Sequence, residues 1–201
     1  MRSRPSAVVA WTLAWWLTGA AVYVSGIFNS PRTGPLWVAL AGGAIPWAIA
    51  GNYTFRSASQ SSSKGRRAAV LATWALAYLA SFGAAAFAAT ALDMVIGGFL
   101  YMVIGWSLGG SAGAFVSTWL TAKNPRFKRA IILAAIWMLG FFVGGFVALF
   151  GLYVGPELGK ITIGSLIGMS AALTLGAGFG CGLGGLAASA VAVGLTRLVK
   201  E

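Results

Sequence analysis

The segment that decides the fold is GSLIGMSAALTLGAGFGCGLGGLAASAVA, residues 164–192. Small residues recur in it at every fourth position, at Gly164, Gly168, Ala172, Gly176, Gly180, Gly184, Ala188 and Ala192. Residues four apart lie on one face of a helix, so this spacing predicts a smooth stripe that a second backbone can approach closely. Such a glycine-rich helix is poor in water, but small residues at this spacing are typical of helix association in a bilayer. The segment therefore predicts a membrane protein.

The composition of the chain favours the same class. Hydrophobic residues make up 59% of the sequence and charged residues 8%, whereas soluble domains average about 45–50% and about 25%. Nearly all of the 201 residues fall in predicted membrane spans, so we expect one domain covering residues 1–201. The net charge of +11 would indicate nucleic acid in a soluble protein, but here the basic residues lie in connectors and chain ends. We therefore expect no nucleic-acid partner.

Apolar runs predict an all-α integral membrane protein with six transmembrane helices, at about 7–28, 36–55, 68–92, 94–120, 130–154 and 161–199. Each run is long enough to cross a hydrocarbon core of about 30 Å. The turn between the fifth and sixth spans is expected at the Gly-Pro-Glu sequence of residues 155–157, because proline disfavours a helix interior. The last run would be about 58 Å long as a helix. We expect it to be one long helix, with a break in the glycine-dense part 176–185 as the alternative.

The distribution of basic residues predicts the orientation. Twelve of the 14 Lys and Arg residues belong to the two chain ends and to the connectors 56–67 and 123–129, and only Arg32 and Lys160 fall on the other side. Cytoplasmic loops carry an excess of Lys and Arg. We therefore expect both termini in the cytoplasm, in a bacterial-type inner membrane. The basic connectors are also candidate sites for anionic lipid.

Aromatic residues repeat at a fixed interval along the odd-numbered spans. Trp11, Trp74 and Trp137 are equally spaced in the sequence, and Trp15, Tyr78 and Phe141 each follow one helical turn later. Together with the matching orientation of the spans, this predicts three repeated helical hairpins around an axis along the membrane normal. We expect the three tryptophans to belong to the aromatic belt at the membrane interface.

Two groups of residues are singled out as sites. The first group is predicted to pack helices through glycine stripes and consists of Gly105, Gly109, Gly113, Gly168, Gly176, Gly180 and Gly184. The second group is a candidate lining for a ligand, because interrupted helices expose backbone groups in transporters. It consists of Gly42, Gly43, Pro46, Trp47, Asn52 and Trp106.

The sequence offers little catalytic chemistry. No ionisable residue lies deep in a predicted span, which argues against a proton relay. There is no histidine and a single cysteine, so we expect no metal, no cofactor and no catalytic residue, and the protein is predicted not to be an enzyme. The favoured function is a structural or accessory subunit that packs against itself or other membrane subunits in the lipid bilayer. The alternative is a transporter or channel component for a small or apolar solute.

Overall fold

The computed structural model of the protein describes residues 4–25, 36–55, 64–91, 95–121 and 127–198, and almost all of these residues are helical. The six helices are α1 (Arg4–Val24), α2 (Leu36–Phe55), α3 (Lys64–Ala91), α4 (Val95–Thr121), α5 (Phe127–Ile167) and α6 (Met169–Leu198). The first four agree closely with the predicted spans. Most of the predicted connectors, Asp93 and both chain ends lie outside the described residues. The end of the predicted linker 56–67 is helical, since α3 begins at Lys64.

Five of the described helices are long and apolar enough to cross a membrane, which is compatible with a membrane location. The helix that falls outside this group is α2, whose sequence includes Gly42, Gly43, Pro46 and Asn52. The helix nevertheless continues through Pro46.

The helices pack in chain order into a closed ring. Each helix contacts the next one along the chain, and α6 returns to pack against α1. The most extensive interface joins α5 to α6, and α2 also reaches across the ring to α4. The core between the helices is made mainly of aromatic side chains from α1 to α5, whereas α6 contributes small residues such as Cys181, Ala188 and Ala192.

The predicted boundary between the fifth and sixth spans is wrong. Helix α5 runs through Pro156 and ends only at Ile167, and the chain reverses at Gly168. Gly168 has φ of 87°, a left-handed conformation that glycine adopts without steric cost. Gly168 is therefore the turn residue and not a member of the packing stripe, and the stripe residue Gly164 belongs to α5.

Close contact with α6 explains why α5 does not end at Pro156. Near Pro156, small residues of the two helices face each other in three pairs. In the two pairs made only of glycines, a Cβ on either residue would collide with the opposite backbone. The pairs are Gly151 with Gly180, Gly155 with Gly176, and Gly159 with Ala172. A proline inside a helix is unfavourable, because it removes one backbone donor and crowds the preceding turn. Continuing the helix is favourable here, because it extends the close packing of α5 on α6 past the proline.

The alternating glycines of α6 form two packing faces. Gly176, Gly180 and Gly184 contact α5, while Gly178 and Gly182 lie against Trp16 of α1. Helix α6 is continuous from Met169 to Leu198, so the predicted alternative of a break within 176–185 is wrong. The glycines alternate because α6 packs closely against α5 on one face and against α1 on the other. On the α1 side, a Cβ at Gly178 would lie only 3.0 Å from the Trp16 ring.

Candidate functional site

The three equally spaced tryptophans meet at the centre of the ring. The ring centroids of Trp11 and Trp74 are 4.9 Å apart, those of Trp11 and Trp137 are 5.5 Å apart, and those of Trp74 and Trp137 are 6.1 Å apart. These distances lie in the favourable range for aromatic pairs. All three side chains are fully buried. The prediction that they belong to an interfacial belt is therefore wrong, because they face the other helices and not the lipid.

A second layer of aromatic residues packs directly on this triad. Trp15, Tyr78 and Phe141, which share the spacing of the triad, are buried, and Trp47 from α2 contacts all three. The Trp47 ring centroid lies 5.8 Å from that of Trp15, 5.4 Å from Tyr78 and 5.0 Å from Phe141. Trp106 of α4 completes the layer at 4.8 Å from Trp15. The centre of the ring is thus filled by large aromatic side chains.

Two of the three central tryptophans make the same hydrogen bond. The indole Nε1–H of Trp11 donates to Thr54 Oγ1 over 3.0 Å, and that of Trp74 donates to Ser117 Oγ over 2.9 Å. Both acceptors lie 43 residues beyond their tryptophan. Each bond ties the two helices of one hairpin together, α1 to α2 and α3 to α4. Such an acceptor offsets the cost of burying the indole N–H.

The third hairpin departs from this pattern. The residue at the equivalent position after Trp137 is Gly180, which has no hydroxyl group. Within the described part of the chain, the buried Nε1 atoms of Trp137, Trp15, Trp47 and Trp106 have no hydrogen-bond partner. A buried donor without an acceptor costs about 1–3 kcal/mol, so each of these four indole groups lowers the stability of the core.

The structure separates the candidate ligand-lining residues into two places. Trp47 and Trp106 are fully buried among the central aromatic rings. Gly43 lies against the ring of Tyr78. Gly42 packs against Ala21 of α1, Pro46 lies at the outer side of α2, and Asn52 is half-buried near the end of that helix. The six residues therefore do not line one common space.

The position of Tyr78 is fixed by a hydrogen bond to the neighbouring helix. Its hydroxyl donates to the carbonyl oxygen of Ala39 in α2 over 3.0 Å. A Cβ at Gly43 would overlap the Tyr78 ring, so the glycine provides the space that this ring occupies. Gly43 is thus a packing residue of the core.

Gly42 and Pro46 both line an apolar groove between α1 and α2. The groove has a volume of about 410 Å³, and its lining includes Leu17, Val24, Gly42, Ile45 and Pro46. It is open to the outside of the ring, and its lining is almost wholly apolar.

A comparable groove lies between α4 and α5. Its volume is about 460 Å³, and its lining includes Leu108, Phe115, Ile131 and Met138. This groove also opens outward. Both grooves lie at the outer surface of the ring, whereas aromatic side chains occupy its centre.

Six of the seven predicted packing glycines lie at helix contacts. Gly105 and Gly109 approach Ser81 of α3, and Gly113 approaches the Trp74 ring. The three glycines at 176, 180 and 184 face α5, and only Gly168 has nothing nearby. The glycines of α4 and α6 are thus occupied by helices of the same chain.

Metal-binding geometry is not present among the residues that the structure describes, where no three His, Cys, Asp or Glu side chains are grouped. Cys181 is buried, with its sulfur 3.9 Å from the carbonyl oxygen of Ala148.

Sequence reasoning missed the hydroxyl partners of the tryptophans. Ser117 follows Thr54 by the same interval that separates Trp74 from Trp11, so the spacing that singled out the tryptophans also applies to their acceptors. Comparison with protein-family models, with curated proteins and with solved structures finds no match to this chain.

Proposed function

We propose that the protein is a non-catalytic integral membrane subunit that associates laterally with itself or with a larger membrane complex. The observation that carries this proposal is the far end of the α5–α6 hairpin, where large apolar side chains such as Ile161 and Leu166 are 78% and 80% exposed. Clustered exposed apolar side chains mark interaction sites in proteins. A filled aromatic core supports a scaffold because it holds the ring rigid while the outer surface makes contacts.

Lateral association must use a surface other than the glycine stripe of α6. Gly176, Gly180 and Gly184 already contact α5 of the same chain, so a bulky residue there is expected to damage the fold and not merely the assembly. The function is tested by native mass spectrometry of the protein after gentle extraction from its own membrane. A homo-oligomer or a complex with other subunits supports the proposal, and a bare monomer contradicts it.

We also propose that the three hairpins are copies of one unit packed by glycine stripes. The matched hydrogen bonds from Trp11 and Trp74, with the same sequence separation between donor and acceptor, support this relationship. Exchange of the α1–α2 hairpin for a second copy of the α3–α4 hairpin tests it. A copy of the same unit should restore a folded protein, whereas an unrelated hairpin of equal length should not.

The orientation with both termini in the cytoplasm is part of the proposal. Lys64, Lys128 and Arg129, at the beginnings of α3 and α5, are exposed, and basic residues near a membrane surface attract anionic lipid by about 1 kcal/mol each. Protease accessibility of a terminal tag in sealed vesicles tests the orientation. Co-purified lipid should be enriched in anionic headgroups and should lose that enrichment when these three residues are changed to glutamine.

A transporter or channel component for a small or apolar solute is the second candidate. The groove beside Gly42 and Pro46 favours it, because it offers an apolar molecule a place at the helix surface. Flux into sealed vesicles tests this candidate. Uptake that falls in Pro46→Ala, with the fold retained, would support transport, and equal permeability of empty and protein-containing vesicles to a broad solute panel would contradict it. Trp47→Ala does not test the groove, because Trp47 lies in the core.

A further inference from the structure

Among the residues that the structure describes, the third hairpin is longer than the other two on one side of the ring. The three central tryptophans are in mutual contact, so they define a common level. Beyond that level, α1 ends at Val24 and α3 at Ala91, whereas α5 ends only at Ile167. The part of α5 beyond its tryptophan exceeds that of α3 by roughly three to four helical turns. These additional turns lie at the end of the ring opposite the basic starts of α3 and α5.

The segment 155–176, which we name the projecting hairpin, is held together by its own two helices. Gly155 contacts Gly176, and Gly159 contacts Ala172. Between Glu157 and Ala171 the only buried residue is Gly159, so no other described helix covers this part. The portion of α5 in the projecting hairpin rises about 18 Å.

Helix α5 is longer than a hydrocarbon layer is thick. A helix of 41 residues is about 62 Å long, which is about twice the thickness of a bilayer core. Apolar side chains beyond the lipid are unfavourable in water unless another surface covers them. The face of α5 that points away from α6 is nevertheless well exposed, with Tyr153 at 82% and Ile161 at 78%.

This outer face also carries one acid and one base. Glu157 and Lys160 are one turn apart, their side chains are both well exposed, and the oxygen–nitrogen distance of 3.8 Å makes a loose ion pair. An exposed ion pair of this kind contributes little to the stability of a single chain. A face with both charges and with apolar residues on either side is complementary to itself, as a twofold interface requires.

We propose that this outer face, made of Tyr153, Glu157, Lys160 and Ile161, binds the same face of a second copy of the chain. The inference rests on the proposed function and names its partner. Two copies in one membrane share their orientation, so the twofold axis runs along the membrane normal and the two α5 helices lie side by side. Glu157 of one copy then lies about 4.5 Å in height from Lys160 of the other, within reach of their long side chains, and two equivalent ion pairs form.

Disulfide cross-linking in native membranes tests the pairing directly. The native cysteine is first removed by Cys181→Ala, and single cysteines are introduced by Tyr153→Cys or Ile161→Cys. Ala171→Cys is the matched control, because Ala171 is exposed on the other helix of the hairpin. We expect oxidation to give covalent dimers at 153 and 161 several-fold faster than at 171. Equal rates at all three positions, or no dimer at any, would overturn the inference.

Charge reversal provides a second test that separates the partner from the general function. Glu157→Lys alone and Lys160→Glu alone should each weaken self-association about two- to fivefold, as expected for exposed ion pairs. Co-expression of the two variants should restore mixed dimers, because each supplies the charge that the other lacks. Unchanged association in both variants would contradict the interface.

Two further outcomes distinguish the inference from the function on which it rests. A hairpin that cross-links to a different membrane protein would overturn the second copy as partner while leaving the proposed function intact. A monomer in the wild-type membrane would contradict both.

Discussion

The two helices of a hairpin are held together differently in the first two hairpins and in the third. In α1–α2 and α3–α4 a large tryptophan reaches across to a hydroxyl group on the partner helix, at Thr54 and at Ser117. In α5–α6 the backbones themselves touch through Gly151 and Gly180. Large side chains fill a ring that several helices share, whereas glycine contacts let two helices continue together beyond the ring. The comparison explains how one chain contains both a compact bundle and a projecting hairpin.

The largest loss of stability is expected for a substitution in the aromatic core of the ring. Trp11→Ala removes a fully buried side chain that contacts Trp47, Trp74, Trp137 and Phe141. Loss of its apolar contacts and the cavity left behind should cost about 3–5 kcal/mol of the free energy of unfolding. Thermal denaturation in lipid nanodiscs measures this cost.

The matched control for the core is a tryptophan at the outer surface. Trp37→Ala should leave the melting temperature nearly unchanged, because Trp37 is 70% exposed. An equal loss in Trp11→Ala and Trp37→Ala would contradict the account of the core.

The next largest loss of stability is expected at the glycine contact between α5 and α6. Gly151→Leu places a side chain where the backbone of Gly180 lies, so the helices must separate. We expect a loss of about 1–3 kcal/mol. Gly164→Leu, on the same helix, is the control, because the nearest atoms are 3.8 Å and 3.9 Å from its added Cβ. Equal melting temperatures for the two variants would show that α5 and α6 are not in close contact at Gly151.

A smaller effect is expected at the turn of the third hairpin. Gly168→Ala places a Cβ in open space but on a backbone with φ of 87°, which should cost about 1–2 kcal/mol. Gly194→Ala also places its Cβ in open space, but in the helix α6, where alanine is favoured over glycine by about 1 kcal/mol. The two changes should shift the melting temperature in opposite directions. A shift in the same direction would argue against a turn at Gly168.

The smallest effect distinguishes the hairpins by their hydrogen bonds. Trp74→Phe loses an indole donor that is bonded to Ser117, whereas Trp137→Phe removes a donor without a partner in the described residues. Both changes remove similar ring volume. Trp74→Phe should therefore be the more destabilising by about 1 kcal/mol. The opposite order in chemical denaturation would contradict the assignment of the hydrogen bonds.

The number of helices and the bounds of α2 were predictable from the sequence, because a long apolar run with polar connectors has few alternatives. The prediction failed at Pro156, since the local preference of proline was weighed without the contact between Gly155 and Gly176 that outweighs it. The four-residue stripe also ran unbroken through Gly168, and spacing alone cannot separate a packing glycine from a turn glycine. Only the position of α5 distinguishes them.

The aromatic site was predictable in part. The constant interval singled out Trp11, Trp74 and Trp137, but it could not say whether they face lipid or core, because tryptophan is frequent in both places. Their contact with one another depends on the closure of the ring by α6 and α1. Pro46 and Trp47 are adjacent in sequence but about 100° apart around α2, so Pro46 lines the outer groove and Trp47 lies in the core.

The most direct test of the account is the accessibility of single cysteines along α5 in sealed vesicles, in the Cys181→Ala background. A membrane-impermeant maleimide is added on the side opposite the chain ends, and labelling is compared at Phe150→Cys, Glu157→Cys and Leu166→Cys. A helix that runs through Pro156 to a projecting tip predicts a protected residue 150 and a rapidly labelled residue 166. Rapid labelling at 157 with protection at 166 would place the turn at Pro156 and contradict the projecting hairpin.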